Sequence, residues 1–332
     1  MEIYYPKYYK NFRCVAGSCP DSCCKEWSVD VDERSAAFYR SLSGPLGDRL
    51  RQVLQDTDGG TIMVIETGRC PMWRQDGLCQ IQAELGHEAL CKVCQDFPRL
   101  RHDYGNFAEL GLELSCPEAA RLILESFKPE WSVETEQSDF PAEYDTDTMK
   151  TLLRSRKAFR DFLESTSLPF PEILAILLLY VHEVQEELDG GAEAVLDPDG
   201  CLADAVRFAK GGDFVLLQDF FLNLEILTPQ WKIRLSSPAA QPRWDNRYRA
   251  LLRYFLDRYW LQAVSDFDLL CRGKFAVAAC LLIGHLGGDL VETAQLFSKE
   301  IENDPDNVAA ILDGAYTSPA LTDSNLLGLM LA

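Results

Sequence analysis

The sequence predicts a mainly α-helical protein, in which a small cysteine-rich α+β N-terminal unit packs on a helical C-terminal bundle. Three observations carry this. Nine of the 12 cysteines fall within the first 116 of 332 residues. The same region holds only brief β-branched runs between glycines and irregular segments. Further along, the chain changes to long stretches with apolar residues at three- and four-residue spacing. Hydrophobic residues at 47% and charged residues at 25% are globular values, which exclude a disordered or collagen-like chain. A chain of this length buries a sizeable core without covalent staples.

The elements follow in order. Residues 61–66 (TIMVIE) are rich in β-branched side chains and predict a strand. Residues 106–115, with Phe107, Leu110, Leu112 and Leu114, predict a second. Pro117 opens a helix that runs through Phe127, with Glu118 in its first turn. Residues 128–147 are polar and acidic with two prolines, and read as a linker. The chain thus divides into a cysteine-rich unit (1–127), the acidic linker (128–147) and a helical domain (148–332). Helical patterns occupy 148–165, 171–188, 202–210, 213–227, 245–265, 270–287, 289–303 and 306–316. Residues 189–200 form a turn-rich connector. In the helix from 245, Tyr248, Leu251, Leu252, Phe255 and Tyr259 share a face that packs inward. Arg249, Arg253 and Arg258 are expected to snorkel to solvent.

Charge and length exclude several classes. Asp plus Glu is 52 against 32 Lys plus Arg, a net charge of −20. Such a surface repels phosphate backbones, so no nucleic-acid partner is expected. The longest apolar runs, 173–181 and 275–283, fall short of the roughly 20 residues a membrane helix needs, so no membrane association is expected. The opening MEIYYPKYYK has no secretory pattern, and a cytoplasmic protein is expected. Dense cysteine in that compartment means metal or redox chemistry rather than a disulfide framework.

The cysteines are spaced for such chemistry. They run Cys14-x4-Cys19-x3-Cys23-Cys24, then Cys70-x8-Cys79, then Cys91-x2-Cys94 followed by Phe97-Pro98-Arg99, and finally Cys116-Pro117. Gly17 and Pro20 supply turns that let several sulfurs converge on a metal cluster. Cys23 and Cys24 are adjacent and diverge, so at most one of them joins the same cluster face as Cys19. A 4Fe-4S cluster fits the ligand count and the lack of histidine in the first group. A zinc site from His87, Cys91, Cys94 and another thiolate is the alternative. Cys201, Cys271 and Cys280 have apolar, helical neighbours and read as packed free thiols. His182 and His285 read as structural. Cys-x3-Cys-x2-Cys fails because Glu26 occupies its third position. Phosphate-binding glycine loops and G-x-S-x-G are absent.

Three segments resemble a known family: YYPKYYKNFRCVAGSCPDSCCKEWSVDVD, CPMWRQDGLCQIQAELGHEALCKVCQDFPR and LSCPEAARLIL. They look like flagellin lysine-N-methylase, the FliB family, and are similar to the wider group of zinc- or iron-chelating cysteine-cluster proteins. The likeness is strongest over residues 1 to 127, and WDNRYRALLRYFLDRY resembles the family's helical region less specifically. The resemblance implies methylation of lysine side chains on flagellin or another lysine-bearing protein, using S-adenosylmethionine and a 4Fe-4S cluster. It places the family's cysteine positions on Cys14, Cys19, Cys23, Cys24, Cys70, Cys79, Cys94 and Cys116, with Cys91 as an extra. Spacing and turn context rank Cys19, Cys23, Cys79 and Cys94 first as metal ligands, then Cys14, Cys24, Cys70 and Cys116. A non-catalytic zinc- or iron-binding protein-interaction module is the alternative function.

Methyl transfer to lysine needs a neutral amine, although the free group has a pKa of roughly 10.4. It also needs an aligned methyl sulfonium and aromatic or carboxylate surroundings for that cation. Trp27, Asp30 and Asp32 are therefore candidate catalytic residues, and Trp73 is a candidate cofactor-binding wall. Each has a structural alternative, as a core Trp or as a capping Asp. The acidic surface would steer a lysine-bearing partner.

Overall fold

The computed structural model describes residues 1–25, 27–65, 68–137, 141 and 143–331. Glu26, Glu66 of the expected TIMVIE strand, part of the 128–147 stretch and Ala332 lie outside the described residues. The strands are β1 (Glu2–Pro6), β2 (Val29–Val31), β3 (Leu54–Thr57), β4 (Gly60–Met63), β5 (Arg99–Asp103), β6 (Phe107–Leu112) and β7 (Trp131–Thr135). They form a four-stranded sheet ordered β5-β6-β1-β7 and a three-stranded sheet ordered β2-β4-β3. In the larger sheet β1 is parallel to β6, with Tyr4 opposite Glu109. It is antiparallel to β7, with Pro6 opposite Trp131. Strand β7 corrects the expectation of a loop across 128–147. WSVET is mostly exposed, and an edge strand needs no apolar face, only a partner with free backbone groups. That partner, β1, lies over a hundred residues upstream.

The N-terminal helices are α1 (Lys7–Asn11), α2 (Glu33–Ser41), α3 (Gly44–Val53), α4 (Gln80–Leu85), α5 (Lys92–Asp96) and α6 (Pro117–Leu124). The helical half contains α7 (Thr146–Ser165), α8 (Phe170–Leu188), α9 (Pro198–Phe208), α10 (Phe214–Leu222), α11 (Pro229–Leu235), α12 (Asn246–Tyr259), α13 (Leu270–Leu286), α14 (Leu290–Phe297), α15 (Pro305–Thr317) and α16 (Asp323–Leu331). Aspartates start many of them. Asp145, Asp197, Asp213, Asp245, Asp289 and Asp304 each accept a first-turn backbone amide. Part of the acidity is therefore spent on helix caps rather than on a binding rim. The pattern expected over 245–265 is α12 plus a 3-10 turn, Trp260–Val264. That expected over 289–303 ends in a π turn, Ser298–Glu302.

Two cores result. A small one joins β2, β4, α2 and α3 to the cysteine segments, with Tyr39, Leu50, Met63, Met72 and Cys91 inside. The large one fills the helical half and reaches α6. Helix α13 is its centre and is buried from Cys271 to Gly284: from Phe275 onward it is apolar on every side, and the buried Arg272 and Lys274 before it are paired with Asp266 and Asp323. At Gly284 a Cβ would sit 2.3 Å from the Trp244 ring, so only glycine lets that indole lie against the helix. Cys271 and Cys280 are buried there and Cys201 is buried on α9, as expected of packed thiols. His285 stacks on Phe214 and its Nδ1 lies 2.9 Å from the Leu281 carbonyl; burial lowers its pKa.

The arginines of α12 differ from expectation, because the face opposite the aromatic stripe is also covered. Arg249 donates to the Thr166 and Leu168 carbonyls at 2.8 and 2.7 Å, closing the end of α7. Arg253 is buried between Glu164 and Asp257. Arg258 reaches the fully buried Glu302. Glu109 of β6 and Arg156 of α7 pair with two hydrogen bonds, fastening the larger sheet to the bundle.

Helix α16 is fastened by charge. Asp323 lies 3.0 Å from both His182 Nε2 and Lys274 Nζ. Burial opposes ionisation of Asp323, but these neighbours outweigh it and its pKa falls below the ordinary value. A lowered carboxyl pKa contributes stability above the unfolded value of about 3.9 and loses it as pH falls through the folded value. Asp323→Asn is therefore expected to flatten the loss of stability below about pH 4, read from urea midpoints across an acid series.

Candidate functional site

Local backbone bonds gather the cysteine segments. The Cys70 amide donates to the Cys24 carbonyl at 2.7 Å, and Lys25 bridges to Arg69. The first and second cysteine segments therefore run side by side. Residues 70–80 fold back on themselves, with Gln80 N bonded to Met72 O at 2.7 Å and Trp73 bridged to Cys79. Gly77, at φ 81°, makes the turn, and its tip approaches Gly17 of the first loop. Cys91 precedes α5 and Cys94 lies on its first turn. Cys116 precedes α6, whose first residue, Pro117, has no amide to leave unpaired.

The thiols then act on one another. The Cys70 sulfur lies 3.5 Å from that of Met63, and the neighbouring thiols of Cys23 and Cys70 lower the Cys24 pKa to about 3. The same contacts push Cys23 and Cys70 up. Cys91 is lowered by the Cys94 thiol, and Cys94 is raised in turn. Burial raises Cys79, reinforced by the charges of Cys24 and Cys91. Burial also raises Cys19, and raises Cys116 to about 11; both feel Cys14. Sulfurs from all four cysteine segments thus share one electrostatic neighbourhood. Among the described residues, however, no three His, Cys, Asp or Glu side chains are grouped so as to hold a metal ion. No disulfide links the described cysteines, and His87 is exposed. The first-ranked Cys19, Cys23, Cys79 and Cys94 do not meet as a separate quartet. Cys23 touches Cys24, and Cys94 touches Cys91, which the resemblance set aside.

The tryptophan and aspartate candidates sit around this region. Trp27 meets Phe97 edge-on, with ring centroids 6.0 Å apart, and lies 6.0 Å from Lys299 Nζ. Trp73 is covered by Arg69 at 4.2 Å and Lys25 at 5.5 Å, so its ring already faces cations. Asp32 caps α2 through Ser35 N and also accepts the Lys92 amide at 2.8 Å, which lowers its pKa. Asp30 and Asp32 line a cleft of about 630 Å³ together with Lys92, Asp96, Phe97 and Glu113. Helix α5, which carries Cys94, forms one of its walls.

Glu113 was not among the sequence candidates. Burial raises its pKa against the pull of Arg258, and Ser115 donates to it at 3.0 Å. A carboxyl in a cleft with a raised pKa is suited to proton transfer. The available signal was a lone acid between Leu112 and Leu114, three residues before Cys116.

Comparison with known proteins finds similarity to flagellar biosynthetic protein FliU of Salmonella muenchen. It is 32% identical over 129 residues, covering 36% of this chain and 75% of that protein. Lysine-N-methylases of Salmonella choleraesuis and Salmonella typhimurium are also 32% identical over 129 residues. The match spans 36% of this chain but only 31% of those two enzymes. No family model matches the chain, and no solved structure matches it. No helix among the described residues is long and apolar enough to cross a membrane.

Proposed function

The chain belongs to the family of the flagellar biosynthetic protein FliU, and on that premise we propose that it methylates lysine side chains of a protein, flagellin or another lysine-bearing partner. The observation that carries the reading is the thiol neighbourhood beside the acidic cleft, in a chain similar to two proteins named lysine-N-methylase.

The donor chemistry fits a 4Fe-4S cluster. The sulfurs of the separate cysteine segments influence one another. A four-iron cluster spreads its thiolates over separate metal atoms, whereas one zinc draws its ligands into a single tetrahedron. Cys14, Cys19, Cys23, Cys24, Cys70, Cys79, Cys94 and Cys116 are the pool from which the four ligands would come, with Cys91 added for its contact with Cys94. The cysteine-rich unit 1–127 would hold the metal, and the helical domain 148–332 would support it across residues 128–147.

The cleft has the volume of a small-molecule site. S-adenosylmethionine would supply the methyl group and leave as a neutral thioether. Asp30, Asp32 and Asp96 attract the lysine ammonium and the sulfonium, and Phe97 gives the cleft an apolar side. Glu113, whose raised pKa makes its ionised form a stronger base than an ordinary carboxylate, would take up the proton that the amine must lose before it attacks.

Purified without oxygen, the protein is expected to be brown and to carry about four irons per chain. Labelled S-adenosylmethionine and flagellin should give labelled lysines. Colourless protein with zinc overturns the iron assignment. Iron-loaded protein that transfers no methyl group to flagellin or any lysine-bearing protein offered leaves only a metal-binding module.

A further inference from the structure

The link between the two halves runs through the cysteine loop itself. Asp21 lies between Cys19 and Cys23, and its backbone amide donates to the Cys19 sulfur. Its carboxylate accepts Lys25 at 3.2 Å, from within the loop. It also accepts two groups from the far end of the chain: Gln295 of α14 at 3.1 Å, and Lys299 of the π turn at 3.1 Å. Gln295 makes a second bond, 2.9 Å to the carbonyl of Ser115, the residue before Cys116. One side chain therefore ties the Cys19 loop to the Cys116 loop. Lys299 and Gln295 are 4% and 6% exposed. A lysine this deep is costly to bury, and an ordered carboxylate partner offsets that cost. The π turn has a mechanical part here, because the extra residue it accommodates re-aims side chains. Lys299 points to Asp21, while Glu300 and Glu302 of the same turn hold Thr228 and the Arg258 cluster.

We propose that Gln295 and Lys299 are positioning residues for the metal centre, reaching from the helical half to hold the Cys19 loop against the Cys116 loop so that the thiols of the N-terminal unit keep their mutual placement. The proposal rests on the reading of a thiol-held metal given above. It makes the helical half a structural support of that placement, not a separate module carried alongside it. The clamp's charge is supplied by Lys299, its aim by the two acceptors of Gln295.

The test uses the full chain and two readouts. In metal-free, reduced protein, alkylation of each cysteine is followed by mass spectrometry. Lys299→Met and Gln295→Leu are expected to speed labelling of Cys19 and Cys116 at least about tenfold, while buried Cys280 keeps its native rate. Iron uptake on reconstitution is expected to weaken about tenfold, with Lys299→Arg restoring most of both. Native labelling rates at Cys19 and Cys116 in both variants overturn the clamp. If Cys280 also becomes reactive, the variant has unfolded, and Asp21→Asn, which keeps the shape of the acceptor, decides by the same rates. A native chain that takes up no metal sinks the metal reading, while the alkylation rates still decide the clamp.

Discussion

Replacing Glu302 with alanine is expected to cost about 3–5 kcal/mol of stability, read as a lower denaturant midpoint. The Glu302 side chain is fully buried. It accepts Tyr259 at 2.8 Å and Tyr254 at 3.0 Å, and lies 3.4 Å from Arg258 Nε. Burial pulls the Arg258 pKa down, but the Glu302 carboxylate more than reverses this and holds the guanidinium well above its ordinary value. Truncation removes the ion-pair partner and leaves that guanidinium in the core with the Tyr254 hydroxyl at 2.6 Å, the Tyr254 and Tyr259 rings, and the more distant Glu113 carboxyl. Removing one partner of a buried pair costs far more than the pair contributes, because the remaining charge has lost its solvent as well. Glu302→Gln keeps the hydrogen-bonding shape and should fall between native and alanine.

The second large effect concerns the thiols. Cys24→Ala and Cys94→Ala are each expected to abolish most iron uptake, whereas Cys271→Ala and Cys280→Ala leave it at the native level. Cys24 is the sulfur on which Cys23 and Cys70 converge, and Cys94 feels Cys91, Cys24 and Cys23 together. Cys280 lies on the central helix among apolar side chains and Cys271 at its first turn beside Asp268 and Arg272, and no thiol contact shifts either of them. Iron per chain, measured on protein of matched thermal stability, separates loss of a ligand from loss of the fold. Equal iron in all four variants would remove the thiol neighbourhood from the account.

Helices of the second half were legible because their signal is local. Tyr248, Leu251, Leu252, Phe255 and Tyr259 repeat with the helical period, and all five are inside. Pro117 marked the start of α6, while the aspartates that cap later helices did not serve as start signals. The strands were harder. Residues 2–6 and 131–135 are too short and mixed to announce a sheet, and their pairing joins opposite ends of the N-terminal region. The arginines of α12 were misplaced because periodicity reports which residues share a face, not what covers the other one. The cysteine-rich character of the site was visible in composition. Which sulfurs touch was not, since it depends on bonds such as Cys70 N to Cys24 O that no spacing rule encodes. Asp21 and Lys299, separated by 278 positions, have no sequence signal at all.

Strand β1 lies between β6 and β7, and every cysteine from Cys14 to Cys94 falls in the segment between β1 and β6. On the ribosome, β1 emerges long before either neighbour exists. Strands β5, β6 and β1 can pair once Leu112 has been made, β7 joins only with Thr135, and α14, which grips the first loop, arrives later still. The contacts of Gln295 and Lys299 with Asp21 are therefore the last to reach the first cysteine loop as the chain emerges, long after Cys70 and Cys91 can pack into the small local core.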